Sequence, residues 1–138
     1  VRAVLDSNVL VSAAIAPGPS HRIVHSWFEA EAFDLVICRS LLREVEVVLT
    51  GRERLRRWIS LEAAALYIQR LHTTADILGD PSPGLPLTRD PNDDSIIYLA
   101  REHHAEMIVS GDADLLEWPE QDPPVITPEA FERMLTAG

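Results

Sequence analysis

Short apolar runs recur at Val4-Leu5, Leu35-Val36-Ile37, Met107-Ile108-Val109 and Val125-Ile126. Runs of this length read as strands buried on both faces. Between them, apolar residues return every three or four positions, the spacing of one helix face. The pattern predicts strands at residues 2–5, 35–38, 75–78, 107–109 and 125–127. It predicts helices over residues 7–15, 21–31, 40–50, 60–73 and 91–104, and a last one opening at Pro128-Glu129. Pro17-Gly18-Pro19 ends the first helix, Ser20 and Ser40 are placed to cap the second and third, and Gly51 to stop the third. Pro91 suits a first helical turn, where its missing N–H costs nothing. Strands alternating with helices imply a central parallel sheet covered on both faces, a three-layer α/β/α sandwich. The loop at residues 79–86 is too short to divide the chain, so one domain over residues 1–138 is expected.

Composition narrows the class. The chain has 138 residues, enough for one sizeable core, and no apolar run nears the roughly 20 residues of a membrane span. Its opening runs straight into a strand, so no secretory leader is expected, and a cytoplasmic setting fits. A single cysteine, Cys38, excludes an internal disulfide and a cysteine-based zinc site, and reads as a small buried apolar residue. The net charge of −10 is unevenly spread, +1 over residues 1–72 and −11 over residues 73–138. All twelve basic residues are arginine, and four of them crowd into residues 52–57.

The acids carry the chemistry. Asp6 and Asp112 each lie just past a predicted strand, and ligands of open parallel sheets bind beyond the carboxyl ends of strands. Around the helix predicted from Pro91, Ile96, Ile97 and Ala100 lie within about 60° of Asp93, so Asp93 shares the apolar stripe. Asp94 is turned away, and with Asp90 it fits a capping role at a helix N-terminus. On the helix predicted from Ser40, Glu44 and Glu46 flank the apolar stripe from opposite sides, and periodicity does not choose between them. Two carboxylates about 4 Å apart repel by roughly 4 kcal/mol at an effective dielectric near 20. A shared acidic pocket must therefore take up protons or hold a hard divalent cation, and all-oxygen sites suit Mg²⁺ or Mn²⁺.

Four segments, in order, resemble the motifs of the PIN-domain ribonucleases: Asp6-Ser7-Asn8-Val9-Leu10, Ser40-Leu41-Leu42-Arg43-Glu44-Val45, Asp90-Pro91-Asn92-Asp93-Asp94 and Ser110-Gly111-Asp112-Ala113-Asp114. The resemblance extends over nearly the whole chain and is nearest to the VapC-like toxins of bacterial toxin–antitoxin pairs. It implies that Asp6, Glu44, Asp93 and Asp112 form the catalytic metal site, with Asp114 assisting and Asn8 and Ser110 orienting carboxylates. Glu44 is preferred to Glu46 on this ground alone. Ser7 and Ser110 stand where threonine is common in the family, and each keeps the hydroxyl. The implied reaction is metal-assisted hydrolysis of an RNA phosphodiester, in which Mg²⁺ or Mn²⁺ activates a water and offsets phosphate charge. A small antitoxin carrying a basic segment and a homodimeric state are the implied partners.

Other features weigh less. Arg54, Arg56 and Arg57 are candidates for phosphate contact at the margin of the groove, against a solvated helix end. His21 and His25 read as helix surface, and Trp27, Trp58 and Trp118 as core or interface packing. The alternative function is a PIN-fold module that binds metal or a partner without cutting RNA. Phosphate-transfer domains that place aspartates past parallel strands normally use a downstream lysine, and this chain has none.

Overall fold

Five parallel strands form the centre of the computed structural model, which describes residues 1–137: β1 (Arg2–Leu5), β2 (Asp34–Cys38), β3 (Ile77–Leu78), β4 (Met107–Val109) and β5 (Val125–Ile126). Seven helices join and cover them: α1 (Ser7–Ile15), α2 (Pro19–Ala30), α3 (Arg39–Gly51), α4 (Leu61–Thr74), α5 (Pro91–Glu102), α6 (Ala113–Leu116) and α7 (Pro128–Ala137). The result is the α/β/α sandwich that the alternating periods imply.

The strand order is β3-β2-β1-β4-β5. The chain builds outward from β1 to β3, then crosses back to place β4 on the other side of β1. Ala3 is therefore level with Leu35 on one side and Met107 on the other. The connections leaving β1 and β4 diverge, which opens a crevice at their carboxyl ends. Asp6 follows β1 directly, and Ser110 follows β4.

Burial explains the short strands. Ala3, Val4 and Leu5 are fully buried, as are Ile108 and Val109 beside them. Leu10, Ile37, Leu49, Leu71, Ile97, Leu99 and Phe131 complete the centre of the core. Each such Leu, Ile or Phe contributes about 1.5–3 kcal/mol relative to exposure. Phe33 meets Phe131 edge to face at 5.0 Å between ring centres, which ties the start of β2 to α7.

Several local expectations are corrected. Ser20 does not cap the second helix: α2 starts at Pro19, and Gly18 takes the cap position at φ 140° without a side-chain bond. Only glycine tolerates that backbone comfortably. Ser40 lies inside α3, whose cap residue is Cys38, and its N–H donates to Asp80 Oδ1 at 2.8 Å. Gly51 is the last helical residue rather than the stop. The arginine-rich stretch forms a separate 3-10 turn, Glu53–Arg57, and α6 goes unpredicted because four residues carry no readable period. Trp27 and Trp118 are buried, but Trp58 is 56% exposed. Among the described residues, no helix is long and apolar enough to cross a membrane.

Candidate metal centre

Three of the acids are placed by helix caps. Asp6 is the N-cap of α1, Asp90 of α5 and Asp112 of α6, each accepting from a backbone N–H of its own first turn. Capping satisfies N–H groups that a helix would otherwise leave orphaned, and it fixes the direction of each carboxylate. The N-termini of α1 and α6 thus bring Asp6 and Asp112 to the crevice between β1 and β4.

Asp6 is the most tightly held. Its Oδ1 accepts from Ser7 N at 2.7 Å. Its Oδ2 accepts from the buried Ser110 hydroxyl at 2.7 Å and from Asn8 Nδ2 at 3.2 Å. Ser110 Oγ also accepts from Asp112 N at 3.0 Å, so one hydroxyl links the ends of β1 and β4. Burial raises the Asp6 pKa above the ordinary carboxylate range and the Asp112 charge adds to this, while bonds from Ser110 and Ser7 oppose it.

Asp93 is different. It is 5% exposed, in the first turn of α5, and its Oδ2 is buried with no hydrogen-bond partner among the described residues. One carboxylate oxygen from each of Asp93, Asp112 and Asp114 falls within 4.8 Å of the others. The Asp93 carboxyl is pushed up to about 7, first by burial, then by the charges of Asp112, Asp90 and Asp6. A buried acid facing like charges with a free oxygen is the arrangement a hard cation relieves.

Glu44 enters from α3. It is exposed at its helix surface, yet its pKa is raised by partial burial and by the charges of Asp6 and Asp90, with Ser7 and Arg52 opposing. It therefore faces the same crevice, but lies outside the close group of three. Glu46 is exposed on the same helix, where its carbonyl accepts from Thr50 Oγ1.

The neighbouring acids serve the backbone. Asp94 Oδ1 takes both the Thr88 N–H and hydroxyl at 2.7 Å, and Asp90 caps Asn92 N at 2.9 Å. Thr88 is not among the residues that sequence reasoning singles out, although Thr88-Arg89-Asp90-Pro91 is a hydroxyl two residues before a cap, a pattern that can be read. Arg89 is likewise missed; it pairs with Asp114 at 3.4 Å and is 91% exposed.

The arginine turn is not brought into this group. Arg56 Nη2 donates to the Leu49 carbonyl near the end of α3, and Arg57 stands 5.6 Å from the centre of the Trp58 ring. Arg54 is exposed. His21 and His25 stack at 6.0 Å on the surface of α2, with His21 Nδ1 3.0 Å from the Ala13 carbonyl.

Comparison with known proteins agrees with this fold. Over its whole length the fold is similar to the crystal structure of PAE2754 from Pyrobaculum aerophilum, with TM-score 0.69, 20% identity and 91% of that chain covered. The sequence is 28% identical over 117 residues to the uncharacterized protein MJ1680 of Methanocaldococcus jannaschii, covering 84% of this chain and 74% of that one. Residues 2–114 match the family model of the PIN domain. That span takes in both edges of the crevice and every acid described above, and the chain belongs to the PIN domain family, whose members are generally metal-dependent nucleases.

Proposed function

We propose that the protein is a metal-dependent endoribonuclease and the toxin of a VapC-like toxin–antitoxin pair, acting in the cytoplasm as one domain over residues 1–138. The observation that carries the reading is Asp93 Oδ2, a buried carboxylate oxygen without a partner among the described residues, beside Asp112 and Asp114. Oxygen-only donors fit Mg²⁺ or Mn²⁺ and argue against zinc, which prefers nitrogen and sulfur.

In this reading Asp6, Glu44, Asp93 and Asp112 hold the ion, with Asp114 on the solvent side. The ion supplies an activated water and charge neutralisation on the phosphate. The protein supplies order. Ser7, Asn8 and Ser110 immobilise Asp6, so that it presents a fixed face rather than swinging with solvent. Asp93, beside Asp112 and Asp114 with its proton affinity raised by burial and by the charges of Asp112, Asp90 and Asp6, is the carboxylate whose charge a bound ion would relieve most. The reading also implies a homodimer and a small antitoxin whose basic segment approaches the acidic edge; the charge of −11 over residues 73–138 supports that complementarity.

The test is cleavage of a structured RNA panel in Mg²⁺, Mn²⁺ or EDTA, comparing wild type with identically purified Asp93→Asn. Metal-dependent cutting by wild type alone is the expected result. Equal cutting by both proteins would expose a contaminant or a wrong site, and no cutting by either would favour a binding module.

A further inference from the structure

Beside the acidic edge, a cleft of about 400 Å³ runs between α3 and α5. Leu41 and Ile96, both buried, form part of its apolar lining. Arg43, Asn92 and Ser95 add a guanidinium, an amide and a hydroxyl, and Glu44 lines the same cleft. Among the described residues, the Arg43 guanidinium has no carboxylate within 4.0 Å. Asn92 spends its backbone N–H on Asp90, and its amide makes no hydrogen bond among the described residues.

We propose that this cleft binds one nucleobase of the RNA, next to the phosphate held at the acidic edge, and so sets base preference at the cut. The inference rests on the nuclease reading. Three observations point to a base. Glu44 lines the cleft, and Asn92 and Ser95, which also line it, stand on either side of Asp93 along α5, so whatever fills the cleft lies beside the acidic edge. The volume is near the lower end of small-ligand sites, which span about 300–1,000 Å³. It admits a flat heterocycle and is too small for a packed helix. The lining pairs apolar walls with unengaged donors and acceptors, which match the faces and edges of an unstacked base. A guanidinium with no carboxylate partner among the described residues can stack on that base.

The experiment titrates ¹⁵N-labelled protein with each nucleoside 5′-monophosphate, and separately with inorganic phosphate, in Mg²⁺. Amides near Arg43 and Ser95 should shift with at least one nucleotide and stay still with phosphate. Asn92→Ala, at an exposed position, should weaken that nucleotide about five- to tenfold. Ser95→Leu, which fills the cleft, should weaken it further. In RNA cleavage, both variants should change the base flanking the cut while metal-dependent cutting persists. Identical shifts with phosphate alone, or unchanged affinity in both variants, would overturn the proposal. Cutting with unaltered base preference and a silent cleft would sink the cleft and leave the nuclease standing. Nucleotide binding in the cleft by a wild type that never cuts RNA would overturn the nuclease reading and base selection at a cut with it, leaving only a nucleotide-binding cleft.

Discussion

Two parts of this molecule concentrate charge of opposite sign, and they treat it differently. At the carboxyl edge of β1 and β4, Asp6 and Asp93 are each 5% exposed, and one buried oxygen has no partner among the described residues. In the 3-10 turn, Arg54 turns to solvent, Arg57 to the Trp58 ring and Arg56 to a helix carbonyl. Of these only Arg56 is half-buried, with its Nε and Nη1 lacking partners among the described residues. The basic cluster is the denser of the two along the sequence, with four arginines in six residues. Charge density alone therefore does not make a site. Several like charges converging out of water retain free energy that a ligand can release, whereas charges dispersed to solvent, a ring face and a carbonyl retain little that one ligand could collect.

The sharpest way to break this contrast is Asp93→Asn. Loss of a metal ligand should exceed the roughly 10–100-fold effect typical of groups that only orient ligands, so metal-dependent cleavage should fall by more than about 100-fold. The metal-free protein should become no less stable, because a desolvated charge facing Asp112 and Asp6 is removed. Thermal melts in EDTA and calorimetric Mn²⁺ titrations read the two halves separately. A variant that binds Mn²⁺ as wild type does would remove Asp93 from the centre.

Next comes Ser110→Ala, which deletes the hydroxyl shared by Asp6 Oδ2 and Asp112 N. About 10-fold weaker Mn²⁺ binding is expected, together with a stability loss of about 1–3 kcal/mol for a buried bond to a carboxylate. Ser110→Thr, which keeps the hydroxyl, should recover the metal affinity. Failure of that recovery would mean that packing at the end of β4, rather than the bond, is what matters.

The pH response tests the same edge more gently. Asp93 is raised from an ordinary 3.8 to about 7, and Asp6 and Glu44 move in the same direction. For an acid raised on folding, the folded state binds the proton more tightly than the unfolded chain. Its stabilising contribution is full below about pH 4 and is lost as pH rises through about 7. In EDTA, the contribution of these acids should therefore lower Tm between about pH 5 and 8, with a shallower fall in Asp93→Asn. Saturating Mn²⁺ should flatten the wild-type curve too, because the ion replaces the proton. A wild-type curve as shallow as that of the variant would show that Asp93 is not held in this state.

Much of this layout is legible in the sequence, for reasons that differ by residue. Asp93 is placed by helical phase because Ile96, Ile97 and Ala100 define a buried stripe around it. Asp6 and Asp112 are placed because strands buried on both faces are continuous apolar runs with clear ends. Phase does not separate Glu44 from Glu46, since both flank one stripe; the charge of Asp6 distinguishes them, and that is a tertiary fact. Thr88 and Arg89 lie in a loop, where no period applies; the Thr88 bonds are local to the α5 cap, whereas the Arg89–Asp114 pair depends on how α5 and α6 meet. The expected caps at Ser20 and Ser40 fail because serine is as compatible with a first turn as with a cap. Proline and the preceding strand decide those boundaries instead.

The smallest expected effects lie in the arginine turn, where they sharpen the contrast from its other side. If Arg54 and Arg57 reach phosphates, Arg54→Ala/Arg57→Ala should reduce the salt dependence of RNA binding. The slope of log affinity against log salt should fall by about 0.7 for each single-strand phosphate that is no longer neutralised. Arg56 should behave otherwise, because its guanidinium is committed to the Leu49 carbonyl. Arg56→Ala should cost about 0.5–1.5 kcal/mol of stability and leave the slope unchanged. Fluorescence anisotropy with labelled single-stranded RNA from about 50 to 300 mM salt, beside urea melts, separates the two behaviours. An unchanged slope in the double variant would assign the whole turn to solvent and local structure. A reduced slope in Arg56→Ala would mean that the guanidinium leaves Leu49 when RNA arrives, so that the two regions differ in their resting state and converge in the complex.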